Sequence, residues 1–311
     1  MWTHAKPQKK KGQLKKYFSF MIMMIPGLLY FLLNNYAPMF GIIIAFKDYK
    51  YNLGIWGSEW VGLSNFTYLF STGDAWKITR NTLGYNGFFI IADLVLAVTV
   101  AIIVNEIKSA RVKKVYQTFI LLPYLISMVV VSYIAYGFLS QTTGFFNCTV
   151  LESLGMDPIS WYTEPKYWPF ILCFIHIWKT IGYSCIVYLA TLVGIDASYY
   201  EAAVIDGATK WQQIRYITLP FLKGTIITMF LLSIGRIFYS DFGLFYQVPM
   251  GSGVLYDVTS TIDTYVYHGL MENYNVPMSA AAGAYQSIVG FVLVVIANKI
   301  VSKFSAENAL F

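Results

Sequence analysis

Long apolar runs separated by polar connections dominate this chain. A helix of about 20 apolar residues is long enough to cross a bilayer. Six runs qualify: Tyr17–Ile44, Asn81–Val104, Val115–Leu139, Trp168–Val193, Pro220–Tyr239 and Ala280–Ser302. The pattern therefore predicts an all-α, polytopic membrane protein with six transmembrane helices. Composition agrees. Only 12% of residues are charged, about half the share usual in soluble domains. The 18% aromatic share suits a protein with Trp and Tyr at both interfaces.

Lys and Arg set the orientation. Lys6, Lys9, Lys10, Lys11, Lys15 and Lys16 precede the first span, and Lys108, Arg111, Lys113 and Lys114 lie between the second and third. Lys210, Arg215 and Lys223 lie between the fourth and fifth or at that edge, and Lys299 and Lys303 end the last. With six spans all of these fall on one side, so both termini are expected in the cytoplasm. The opposite side holds Lys47, Lys50, Lys77, Arg80 and Lys166. The net charge of +6 thus reads as membrane topology and not as a nucleic-acid surface. The first apolar run is too long for a signal peptide and ends in no small-residue cleavage site. Residues 1–16 are expected as a basic cytoplasmic tail, and 17–311 as one transmembrane domain. Long connections at 47–80, 140–167 and 241–278 are too apolar for disorder and are expected to carry interfacial helices. In the last, Val258, Ile262, Val266 and Leu270 recur at helical spacing. Cys148, Cys173 and Cys185 have no metal spacing and read as free thiols.

The connection at 194–219 is the most specific segment. SYYEAAVIDGATKWQQIRY at 198–216 runs directly into ITLP. Ser198 and Glu201 have the spacing of a capping box. Ala202 and Ala203 favour helix while allowing close approach, Asp206 adds charge, and Gly207 permits a turn. A second short helix is expected over Lys210–Thr218, with Pro220 in the first turn of the fifth span. The expectation is a helix–turn–helix on the cytoplasmic face.

This segment resembles the EAA loop of permeases of type I ABC importers, particularly the carbohydrate class. WVGLSNF at 60–66, Asn81-Thr82, the run at 26–49 and DTYVYHGL at 263–270 resemble sugar permeases, the last two those for complex oligosaccharides and polysaccharides. The likeness extends from about Tyr17 to Ser302. It implies the type I permease fold and a place in the bacterial plasma membrane. It also implies four kinds of partner: a second, related permease as heterodimer, two ABC ATPase subunits, an extracytoplasmic solute-binding protein and an oligosaccharide substrate. Glu201 and Asp206 would contact the ATPase, Ala202, Ala203 and Ala208 would pack into its groove, and Gly207 would turn the chain. Ile217, Leu219 and Pro220 complete the motif. The chain carries no GxxxxGK[ST] loop, so ATP and Mg would be used by the partner ATPase. The chain is expected to bind no cofactor or metal and to have no catalytic residues.

Ionisable side chains within spans are costly, which singles out Asp93, Lys179 and Arg236. A sugar path needs flat aromatic faces and polar tips. The candidates are Arg236, Tyr239, Asp241, Phe242 and Tyr246 after the fifth span, with Trp178, Lys179 and Tyr183 in the fourth. Arg236 has the geometry to bind a hydroxyl or, bidentately, a uronate carboxylate. The alternative is a structural ion pair, for which the five-residue spacing to Asp241 is poor. His176 reads as a satisfied core histidine. Two rival functions remain at this level: an ABC permease for another solute such as a peptide, and an ion-coupled secondary transporter. The second would show paired carboxylates or broken helices in two repeats, and no such pattern is legible. A membrane enzyme would need a catalytic cluster that the chain lacks.

Overall fold

A computed structural model describes residues 11–304; Lys6, Lys9 and Lys10 of the expected tail lie outside the described residues. The first helix begins at Lys11, so the end of the expected tail is helical, and the apolar span itself starts at Phe20. The main helices are α1 (Lys11–Phe31), α2 (Ser64–Ser71), α3 (Asp74–Asn105), α4 (Ala110–Leu125), α5 (Met128–Leu139), α6 (Trp168–Val193), α7 (Ala197–Ile205), α8 (Lys210–Gln213), α9 (Leu219–Ile234), α10 (Ile262–Met271) and α11 (Val276–Phe304). Among the described residues, five helices are long and apolar enough to cross a membrane: Phe20–Phe46, Asp74–Asn105, Pro165–Val193, Lys210–Ile234 and Val276–Lys303. A bent pair makes a sixth if counted as one span.

That bent pair corrects the expected third span. Val115–Leu139 is not one rod but α4 and α5, turned 94° at a short break. Pro123 lies in the last turn of α4, and the Ser127 hydroxyl caps α5 by accepting the Val130 amide. A break inside an apolar medium leaves carbonyls without partners. Lys179 of α6 supplies them: its Nζ donates to the carbonyls of Pro123 at 3.3 Å, of Tyr124 at 3.1 Å, and of Ile126. Gly182, one turn further along α6, lets α4 approach so closely that a Cβ there would stand 2.0 Å from the Ile120 carbonyl oxygen.

The fifth span also differs. It begins at Lys210 and ends at Ile234, instead of running from Pro220 to Tyr239. Pro220 takes the first turn of α9, as expected, but the rod already runs from Lys210, so the missing donor and the ring's crowding of the preceding turn fall within it. A π-helical turn over Ile214–Thr218 precedes the proline and accommodates both effects. After Ile234 the helix breaks, and the chain turns through Gly235–Ser240.

The core is the α3–α6 pair. At one end, Ala97, Ala101 and Val104 pack on Cys185, Tyr188, Leu189, Leu192 and Leu222. Toward the other end, Phe89, Trp168, Leu172 and Phe245 form a second cluster. The first span is nearly bare, with almost none of its residues buried.

The end opposite the 194–219 loop is capped by short elements. Lys47–Asp48 pairs antiparallel with Glu59–Trp60. Amide side chains pin the connections: Asn65 donates to the Ala45 and Lys47 carbonyls, and Asn81 to those of Asp257 and Ser260. Thr82 Oγ1 accepts the Ile262 amide. These bonds split the helix expected through Val258–Leu270 into Tyr256–Thr259 and α10. The cysteines are free, as expected, and Cys185 is buried.

Candidate functional site

At the 194–219 end, short-range bonds fold the loop. Asp196 is the N-cap of α7: its Oδ1 accepts the Ser198 amide at 2.9 Å. That bond holds the Asp196 carboxyl below its usual range. The expected capping box at Ser198 and Glu201 is therefore not formed; a better acceptor two residues upstream takes the cap. Gly207, at φ +78°, closes the helix. The Ala208 amide reaches the Ala203 carbonyl at 2.9 Å and the Gly207 amide reaches Val204 at 3.1 Å. This is the paired bonding of a Schellman turn, which favours glycine at that position. A capping box then forms one turn later, between Thr209 and Gln212.

The loop's surface is apolar in an unexpected place. Glu201, Ala202, Asp206 and Gly207 are exposed, while Ala203 and Ala208 are half-buried. Ile205, by contrast, is 86% exposed and Trp211 68%, with Val204 beside them. The sequence reading passed over these large side chains, although an isoleucine beside a tight turn signals a knob with no core to enter. Ile217 is half-buried, and Leu219 and Pro220 are exposed. Tyr200 hydroxyl to Thr218 Oγ1 at 3.0 Å ties the loop's two arms together, and Lys210 to Glu106 at 2.9 Å holds it to the end of α3.

The path candidates divide into three places. Arg236 and Tyr239 lie together on the turn after α9, both exposed, and Arg236 has no side-chain partner among the described residues. Asp241 does not pair with it; its Oδ1 instead accepts the Leu244 amide. Phe242 and Tyr246 stack at 5.0 Å and pack against Tyr267 of α10, so they form a half-buried aromatic wall. The fourth-span group lies elsewhere. Trp178 lines an apolar cavity of about 670 Å³ with Phe138, Phe146, Trp161 and Phe170. An ammonium has three N–H donors, and Lys179 gives all three to backbone carbonyls, which leaves none for a sugar hydroxyl. Tyr183 stacks on Tyr124 at 4.7 Å, and both rings keep an exposed face.

Asp93 and His176 satisfy each other: Oδ2 lies 3.1 Å from Nε2, and Thr180 donates to the other carboxylate oxygen at 3.0 Å. The His176 ring stacks on Phe89 at 3.6 Å, as a packed core histidine should. Asp93 also borders a chamber of about 50 Å³ lined by Ser184, Tyr188 and Ser233. Among the described residues, no group of three His, Cys, Asp or Glu side chains is placed to hold a metal.

The family model described as "binding-protein-dependent transport system inner membrane component" matches residues 94–305. The chain belongs to this family. It is a membrane-embedded permease component of an ABC transporter. Among its relatives in Bacillus subtilis (strain 168), Protein LplB is 35% identical over 287 residues, covering 92% of this chain and 89% of that protein. The polygalacturonan/rhamnogalacturonan transport system permease protein YteP is 33% identical over 306 residues, covering 97% and 94%. A crystal structure of a bacterial ABC transporter involved in import of the acidic polysaccharide alginate superposes with a TM-score of 0.86 at 30% identity, covering 94% of this chain and 98% of that one. A second, of the alginate transporter in complex with an alginate pentasaccharide-bound periplasmic protein, also gives 0.86, covering 96% and 99%. The breaks in the third and fifth spans, which the sequence did not reveal, therefore belong to an ABC permease and give no support to an ion-coupled secondary transporter.

Proposed function

We propose that the chain forms part of the transmembrane path of an ATP-driven importer of acidic oligosaccharides. The loop at 194–219 faces the cytoplasm, as do both termini, and docks on one of two ATPase subunits, which use ATP and Mg. A second, related permease completes the path, and a binding protein delivers the sugar to the opposite face. The observation that carries this reading is the loop: a self-capped helix–turn–helix that presents Ile205 and Trp211 to no partner within the described chain. The bare first span is apolar surface suited to the related permease and the bilayer.

The sugar assignment is supported by what the relatives are named for, and the acidic preference by Arg236. An unpaired guanidinium beside an exposed tyrosine offers a uronate both charge and a flat face. In the reconstituted complex, Glu201→Lys and Gly207→Pro should each abolish ATPase stimulation by the loaded binding protein. Undiminished stimulation would remove the coupling role. Arg236→Ala should depress uptake of a uronate oligomer about tenfold more than that of its neutral analogue, the scale of one lost charge-assisted hydrogen bond. Equal losses would refute the acidic preference.

A further inference from the structure

The turn that carries Arg236 and Tyr239 is built from elsewhere in the chain. A helix break inside a membrane protein is tolerated where other groups satisfy its backbone. Here every successive carbonyl from 237 to 239 meets a side-chain amide. Asn86 of α3 donates through one Nδ2 to the Ile237 carbonyl at 2.7 Å and the Tyr239 carbonyl at 3.1 Å. Gln286 of α11 donates to the Phe238 carbonyl at 2.7 Å. The Phe238 ring, 1% exposed, is driven into the cluster of Leu69, Ile78 and Ile262. Asp263 of α10 closes the ring: one carboxylate oxygen accepts both the Ser240 amide and its hydroxyl at 2.7 Å, and the other accepts Gln286 at 3.1 Å.

Three helices thus clamp four consecutive residues, while the two long side chains of the turn stay outside the clamp. Arg236 precedes the first gripped carbonyl, and Tyr239 contributes only its own carbonyl to Asn86. A satisfied network of this kind fixes a backbone, because each member loses a bond if the turn shifts. Arg236 has no side-chain partner among the described residues, so its guanidinium remains the unspent donor of the segment.

We propose that Asn86, Gln286 and Asp263 are positioning residues that set where Arg236 meets an acidic sugar, and so determine specificity without touching the substrate. The proposal rests on the reading of Arg236 as the uronate contact for its consequence, but the placement of the turn is testable alone. Sugar recognition is sensitive to such placement, because a bidentate contact tolerates little displacement.

The test uses the full complex of both permeases, ATPases and binding protein, with assembly checked by co-purification. In a Cys148→Ser background, Arg236→Cys is labelled with a water-soluble cationic methanethiosulfonate, with and without Asn86→Leu or Gln286→Leu. The expected result is a labelling rate altered about tenfold by either substitution, the order expected when a buried carbonyl is left unpaired, with Met271→Cys on the far-end surface unaffected as control. Asn86→Gln and Gln286→Asn, which keep the donor but shift its reach, should give intermediate rates. An unchanged rate at 236 in assembled complexes overturns the proposal, whatever the uptake data show. In parallel, both leucine variants in the Arg236 chain should raise KM for the uronate oligomer more than for its neutral analogue. Each should add nothing to Arg236→Ala. Equal KM increases for both sugars, while Arg236→Ala alone remains selective, would reduce the clamp to a structural role and overturn the positioning claim. A non-selective Arg236→Ala would refute the acidic reading and leave the labelling result to decide the clamp.

Discussion

The two ends of the fifth span are stabilised in opposite ways. At the loop end, the bonds that shape the turn are local: Asp196 caps an amide two residues on, and Thr209 and Gln212 cap each other across three. At the far end, the break is held by Asn86, 151 and 153 positions from the carbonyls it grips, and by Gln286, 48 positions from its own. Local capping lets a surface stay folded while its partner is absent or moving. Long-range pinning fixes a backbone relative to the rest of the molecule, which a ligand-placing segment requires. The loop accordingly shows large apolar side chains to its surroundings, and the break shows one unpaired cation.

The bend of the third span is the severest trial of that contrast, since a single ammonium serves three carbonyls there. Lys179→Met keeps the length and the apolar stem but strips the donor from the Tyr124 and Ile126 carbonyls, while Pro123 keeps the Ile126 amide. The expected loss is about 2–4 kcal/mol, from the cost of orphaned buried acceptors, read as a lower unfolding temperature of the purified complex. Lys179→Arg should retain most of the stability. A methionine variant as stable as the parent would mean that long-range pinning is dispensable at these breaks, and would weaken the case for the clamp around Arg236 as well.

How far the sequence reached follows the same division. Apolar runs located α3, α6 and α11 well, because length and hydropathy are properties of one segment. The EAA segment was legible for the same reason, apart from the cap, where Asp196 displaced Ser198. The 94° bend was not legible: Pro123 and Ser127 permit it, but Lys179, more than fifty residues away, makes it stable. Likewise Lys179 read as a path candidate until its donors were counted. The sequence left a pairing of Arg236 with Asp241 open, though the five-residue spacing is poor for it; in the structure Asp241 caps Leu244 instead, and the clamp beneath Arg236 joins four elements and has no local signature. Asn81 and Asp263 lay in segments noted for their resemblance to sugar permeases, and the structure supplies the physical reason: both hold backbone in place.

A change of surface should leave stability alone where a change of pinning does not. Ile205→Asp places a carboxylate where the loop offers its most exposed apolar side chain. Co-purification of the ATPase should fall at least about tenfold, as for a central interface anchor, with Trp211→Ala producing a smaller drop. The unfolding free energy of the permease pair without ATPase should stay within about 0.5 kcal/mol of the parent, as is usual for exposed positions. A variant that binds the ATPase normally would show that these side chains face lipid or solvent and not the partner.

The smallest effect is expected at the cap itself. The Ser198 amide holds the Asp196 carboxyl below the usual carboxylate range. A carboxylate with a lowered folded value contributes its stabilisation above the unfolded value and loses it only as pH falls through the folded one. Between pH 5 and 8 the cap is therefore fully formed and α7 should show no pH dependence. Amide exchange over residues 197–200, corrected for intrinsic rates, should be flat across that window and faster in Asp196→Ala at every pH in it. Because the Schellman turn at Gly207 and the Thr209–Gln212 box remain, ATPase affinity should change by no more than about twofold, consistent with a single exposed cap. A large loss of affinity from this one substitution would show that the loop is not independently capped at its two ends, and that its fold depends on the partner after all.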